Sequence, residues 1–132
     1  MAEPAVRARF TDAVRAIVEL AIARVRLERS WSTETLAEPV DGAQHLDLRQ
    51  RRLVERVAFA IPRVAARLPW RADCMVQALA ARRWLDRAGI ATTISVGVAQ
   101  DMPASFEAHA WLTVGETVVT GGDVSRYVRF ER

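Results

Sequence analysis

The sequence predicts an α+β fold: N-terminal helices followed by a small antiparallel sheet. Three observations predict it. Up to Gly89 the apolar residues recur every three or four positions, the period of a helix. From Ile90 onward the period falls to two, the period of a strand, and turn residues separate the runs. The chain has 132 residues, which suits one domain, 1–132, around a single modest core. Within it, residues 1–45 read as a helix and connector, and residues 46–132 as the core that carries the chemistry.

The first helix is expected over residues 6–29. Pro4 fits its first turn. Val6, Phe10, Ala13, Val14, Ile17, Val18, Ala21 and Val25 make its apolar stripe, with Arg7, Asp12, Arg15, Glu19, Arg24 and Arg26 between them. Residues 30–44 contain Ser, Thr, Pro39 and Asp41-Gly42, so they read as a connector, with Trp31 and Leu36 pinning it to the core.

A second helix starts at about Asp47, with Leu48, Leu53, Val57, Ile61, Val64 and Leu68 as its stripe. Pro62 lies inside that pattern and predicts a kink or a restart. Pro69-Trp70-Arg71 ends it. The third helix has Asp73 as N-cap, Met75, Val76, Leu79, Ala80, Trp84 and Leu85 as buried positions, and Gly89 as its stop.

The strands follow. Residues 90–98 alternate, with Thr92, Ile94, Val96 and Val98 on one side and Thr93, Ser95 and Gly97 on the other. Residues 99–106 form a loop with Pro103. Residues 108–114 and 117–120 form a hairpin about the tight turn Gly115-Glu116. Gly121-Gly122 marks a bulge or strand end. Val124, Tyr127, Val128 and Phe130 close the chain, where a short helix over 124–128 is one option, capped by Asp123.

Composition narrows the function classes. With 51% hydrophobic and 27% charged residues the chain is an ordinary globular one. Net charge is +3, and all 19 basic residues are arginine. The pI of about 10.3 suggests nucleic acid. However, arginines and acids alternate along the helices, a pattern of solvated faces rather than a binding patch. Only Arg49, Arg51 and Arg52 cluster. No nucleic-acid partner is therefore expected. No apolar run approaches the roughly 18 residues of a membrane span. Met1-Ala2-Glu3-Pro4 opens acidic, unlike a signal peptide. A cytoplasmic location is expected, where a thiol stays reduced.

The single cysteine excludes an intrachain disulfide. Asp73 as N-cap puts Cys74 in the first turn, where the positive end of the helix dipole favours thiolate. The unpaired amides of that turn could serve as an oxyanion hole. His109 lies in the strand-like run Glu107-Ala108-His109-Ala110-Trp111, on the face of Glu107, Trp111 and Thr113. Cysteine and histidine together are a nucleophile and its base. The competing reading is a small buried hydrophobe at Cys74 and a core histidine at His109. Alternation leaves open which face of the strand meets Cys74.

A third group usually orients the imidazole. Asp123 reaches the His109 face if the hairpin carries one extra residue or a bulge at Gly121-Gly122. Glu107, on the same face, is an alternative, and Glu116 sits too far away at the turn tip. His45 reads as a surface residue. One cysteine and two histidines supply a zinc site poorly, so no metal and no cofactor is expected.

The order of helix-borne cysteine, strand histidine and next-strand acid resembles the transglutaminase-like and papain-like thiol enzymes. Residues 60–130 resemble the lasso peptide leader peptidases of that transglutaminase-like cysteine protease superfamily. The resemblance rests on Pro69-Trp70-Arg71 to Cys74, Gln77-Ala78-Leu79-Ala80, Leu85, Gly89-Ile90, Ile94-Ser95-Val96-Gly97-Val98 and Phe106-Glu107-Ala108-His109-Ala110-Trp111. Met75 departs from the leucine that usually follows the nucleophile.

The resemblance implies a transglutaminase-like core and a hydrolase that removes the leader from a ribosomally made precursor. Cys74 would be the nucleophile, His109 the base and Asp123 the orienting acid. The implied partners are the precursor's leader, a separate leader-recognition protein and the ATP-dependent lasso cyclase. With about 45 residues before the second helix, a standalone recognition protein rather than a built-in domain is expected. Arg71 and the Arg49–Arg52 cluster are candidates for contacting the leader or that protein.

Overall fold

The computed structural model describes residues 9–29, 45–70, 72–99, 108–125 and 127–129. Three helices precede a sheet: α1 Phe10–Arg29, α2 Leu48–Arg67 and α3 Cys74–Asp86, then β1 Thr93–Ala99, β2 Ala108–Val114, β3 Thr117–Thr120 and β4 Tyr127–Arg129. The α+β layout expected from the change of period is therefore present. The connector residues Trp31 and Leu36, with Pro4, Val6 and most of 99–106, lie outside the described residues.

Helix α2 begins at a capping box. The Asp47 carboxylate accepts from the Gln50 amide, and the Gln50 side chain accepts from the Asp47 amide. It then runs unbroken to Arg67, so Pro62 does not restart it. Proline removes one ladder donor, but Val57, Ala60, Ile61 and Ala65 are buried around it and hold both halves in place. Leu48, expected in the stripe, stands exposed in the first turn. Helix α3 closes at Gly89, which adopts a left-handed φ of 73°. There the Ile90 amide donates to the Leu85 carbonyl. Strand β1 starts at Thr93 rather than Ile90, with residues 90–92 between it and the turn at 87–89.

Helix α1 packs across α2 and α3, but with the face opposite to the one expected. Its buried positions are Asp12, Ala16, Glu19, Leu20 and Ala23, while Phe10, Val14, Ile17, Val18 and Val25 are exposed. Both sets have helical spacing, and they lie roughly half a turn apart. Two features favour the observed side. Alanines at 16 and 23 let the helices approach closely. The two acids meet arginines from the neighbouring helices. Arg56 of α2 grips Asp12 in a forked pair, with Nε 2.9 Å from Oδ2. Glu19 pairs with Arg15 at 2.9 Å and with Arg83 of α3 at 3.0 Å. Only packing against α2 and α3 supplies Arg56 and Arg83, so the apolar stripe alone pointed the wrong way.

The sheet has four strands in the order β3-β2-β1-β4. β4 corrects the sequence reading: the closing segment is a strand paired with β1, Ala99 opposite Tyr127 and Gly97 opposite Arg129, and not a helix over 124–128. α3 packs chiefly on β2, and α2 on β3. On the helix side Ile94, Ala110, Leu112, Val114 and Val119 join the core. His109 and Trp111 face the other way, and Trp111 is nevertheless only 4% exposed. The strand order explains why. The chain leaves β3 at one edge and must cross β2 and β1 to reach β4 at the other edge. Gly121 makes that crossing directly over Trp111.

Candidate active site

Cys74 is the first residue of α3. The Asp73 carboxylate accepts from the Val76 amide at 3.1 Å, and the Asp73 carbonyl accepts from the Gln77 amide. The Gln77 side chain reaches back to the Ala72 carbonyl at 3.0 Å and ties down the entry turn. The amides of Cys74 and Met75 are left without a protein acceptor among the described residues, as the start of a helix requires. Cys74 is half-buried rather than sealed in the core.

The sulfur meets β2. The Ala110 amide donates to Sγ at 3.5 Å. β3 pairs with β2 only from Leu112 to Val114. Beyond that, among the described residues, the β2 edge has no ladder partner on this side, and the Cys74 sulfur lies there against the Ala110 amide. Unpaired first-turn amides and the Ala110 N–H together place partial positive charge at the sulfur. The residue before Ala110 is His109, whose backbone is therefore one position from the amide that meets the sulfur, while its side chain lies on the sheet face of Trp111. Among the described residues no hydrogen bond joins the sulfur to the imidazole.

The imidazole is held from two sides. Its Nε2 lies 2.7 Å from the Gly121 carbonyl oxygen. Tyr127 of β4 stacks on it with centroids 4.7 Å apart and planes 28° from parallel. Trp111, two residues along β2, stacks at 6.1 Å. The register shows why these rings meet. His109 is opposite Gly97 of β1, which contributes no side chain, and Tyr127 sits one strand further on beside Ala99. The small residues on this side of β1 leave room for an aromatic cluster.

The hairpin does carry one extra residue, but the irregularity lies between Leu112 and Thr113 rather than at the glycines. The ladder stops at Leu112 opposite Thr120, before it reaches His109. Asp123 lies in the exposed turn beyond, where its Oδ1 accepts from the Ser125 amide at 3.0 Å. That hydrogen bond holds its carboxyl below the ordinary range. Glu107 and Arg71 lie outside the described residues. Glu116 is exposed at the turn tip.

Sequence reasoning singled out Gly121-Gly122 as a bulge or strand end, and missed that a glycine carbonyl and Tyr127 contact the histidine. The only available signal was the glycine pair itself. Among the described residues there is no cluster of three His, Cys, Asp or Glu that could hold a metal ion, and no helix long and apolar enough to cross a membrane.

Residues 14–132 match the family model described as the transglutaminase-like superfamily. No curated protein and no solved structure matches the chain.

Proposed function

Because the chain belongs to the transglutaminase-like superfamily, we propose that it is a cysteine peptidase that removes the leader from a lasso peptide precursor. The observation that carries the reading is the Cys74 sulfur in the first turn of α3, against the amide of Ala110, the residue that follows His109. The finer assignment, leader peptidase, rests on the resemblance of residues 60–130 to that branch.

In this reading the Cys74 thiol gives its proton to His109 and the sulfur attacks the scissile carbonyl. The first-turn amides of Cys74 and Met75 stabilise the oxyanion. The tetrahedral intermediate collapses, the C–N bond breaks, and the imidazolium gives its proton to the leaving amine of the core peptide. The leader remains as a thioester on Cys74. Water then attacks that carbonyl, giving one proton to His109, and the leader acid leaves as the thiol regains a proton. Asp123, named as orienting acid from the sequence, has its Oδ1 on the Ser125 amide and takes no part in these steps. The partners in this reading are the leader, a separate recognition protein and the ATP-dependent cyclase that consumes the freed amine.

The test is incubation with a precursor peptide, with and without a recognition protein, followed by mass spectrometry. Free leader acid and core peptide are expected. A new amide on the leader would instead establish an acyltransferase of the same thiol chemistry. An intact precursor, with a thiol that alkylates as ordinary free cysteine does across pH, would leave a non-enzymatic interaction module.

A further inference from the structure

We propose that the backbone carbonyl of Gly121 is the group that orients His109, so that the site works as a Cys74–His109 pair without a carboxylate. The inference rests on the reading of His109 as the base and concerns how that base is held.

The contact between Nε2 and the Gly121 oxygen is 2.7 Å. A carbonyl oxygen only accepts, so Nε2 must carry the hydrogen in both the neutral and the charged ring. The proton from Cys74 therefore arrives at Nδ1 and leaves from Nδ1. In a triad the tautomer is set by an acidic side chain on whichever ring nitrogen faces away from the nucleophile. Here the chain itself takes that place.

The geometry of the crossing keeps the carbonyl there. Gly121 has φ of 106°, a region open to glycine and strained for other residues. A Cβ at this position would overlap the Trp111 Cβ and sit 3.1 Å from Nε2 of His109. Only a residue without a side chain brings its backbone this close to the strand below. Tyr127 stacks on the ring and resists its rotation about χ2. Asp123, meanwhile, spends an oxygen on the Ser125 amide and faces solvent. No described carboxylate bonds the ring.

Exchanging a carboxylate for a carbonyl has a chemical consequence. Both fix the ring, but the carbonyl is neutral and gives the imidazolium no ion pair. Asp123 should then be dispensable, where a true triad acid replaced by its amide costs about 10⁴-fold in kcat.

The experiment uses the full chain labelled with ¹⁵N-histidine and carrying His45→Gln, which leaves His109 as the only reporter. Long-range ¹H–¹⁵N spectra above the titration midpoint should show the Nε2–H tautomer, and Asp123→Ala should leave both that pattern and kcat/KM within about twofold of the parent. A neutral Nδ1–H ring would overturn the proposal. So would a loss of tenfold or more in kcat with Asp123→Ala at unchanged KM and melting temperature, since a merely structural loop residue would not act in that way. If the parent cleaves no precursor, the peptidase reading fails, but the tautomer and its indifference to Asp123 still decide how His109 is held.

Discussion

The Gly121 carbonyl meets His109 at 2.7 Å because the link from β3 to β4 crosses the strand that carries the histidine. The glycine is thus both a crossing point over Trp111 and a hydrogen-bond partner of the ring. Gly121→Ala should destabilise the protein by roughly 2–5 kcal/mol, from left-handed strain and overlap with Trp111. Thermal unfolding should show a fall on the order of 10 °C. An unchanged melting curve would mean that the crossing does not lie over Trp111.

Cys74→Ala and His109→Ala should each lower precursor cleavage by at least about 10³-fold. Cys74→Ala should melt as the parent does, because the thiol is half-buried and Asp73 still caps α3. Cleavage at the parental rate by either variant would remove that residue from the mechanism.

The orientation of α1 separates two readings of the same helix. Leu20→Ala should cost about 2–5 kcal/mol, because Leu20 is fully buried. Ile17→Gln and Val18→Gln should each fall within about 0.5 kcal/mol of the parent, since both stand more than two-fifths exposed, at 43% and 46%. Chemical denaturation measures all three. The reverse order would restore the orientation suggested by the apolar stripe.

Asp123 offers a pH readout with a definite sign. Its folded-state pKa is lowered, first by the backbone hydrogen bond from Ser125. The bond's contribution is present above the unfolded-chain value and is lost as pH falls through the lower folded value. The carboxyl ¹³C signal should titrate below about 3.9, with the Ser125 amide shifting at the same midpoint. A midpoint at or above the ordinary value would show that the turn is not closed by this bond.

Much of the site was legible because its signals are local. Asp73 before an apolar helical run makes an N-cap, and an N-cap places Cys74 in the first turn whatever the helix packs against. Gly115-Glu116 between alternating runs makes a hairpin, and period two places His109 on the face of Trp111. Other expectations failed where the deciding partner is remote in sequence. The buried side of α1 depends on Arg56 and Arg83, which belong to other helices. β4 depends on a free edge of β1, and the three residues of Tyr127–Arg129 carry too short a pattern to announce it.

By itself the sequence determined the order of elements, the helix-start position of the thiol and the strand position of the imidazole, because caps, turns and side-chain period act over a few residues. The tertiary structure alone decided which face of α1 is buried, that Ala110 supplies an amide to the Cys74 sulfur, and that Gly121 and Tyr127 close around His109. Those contacts depend on how strands stack side by side and where the chain crosses them, which no local pattern encodes.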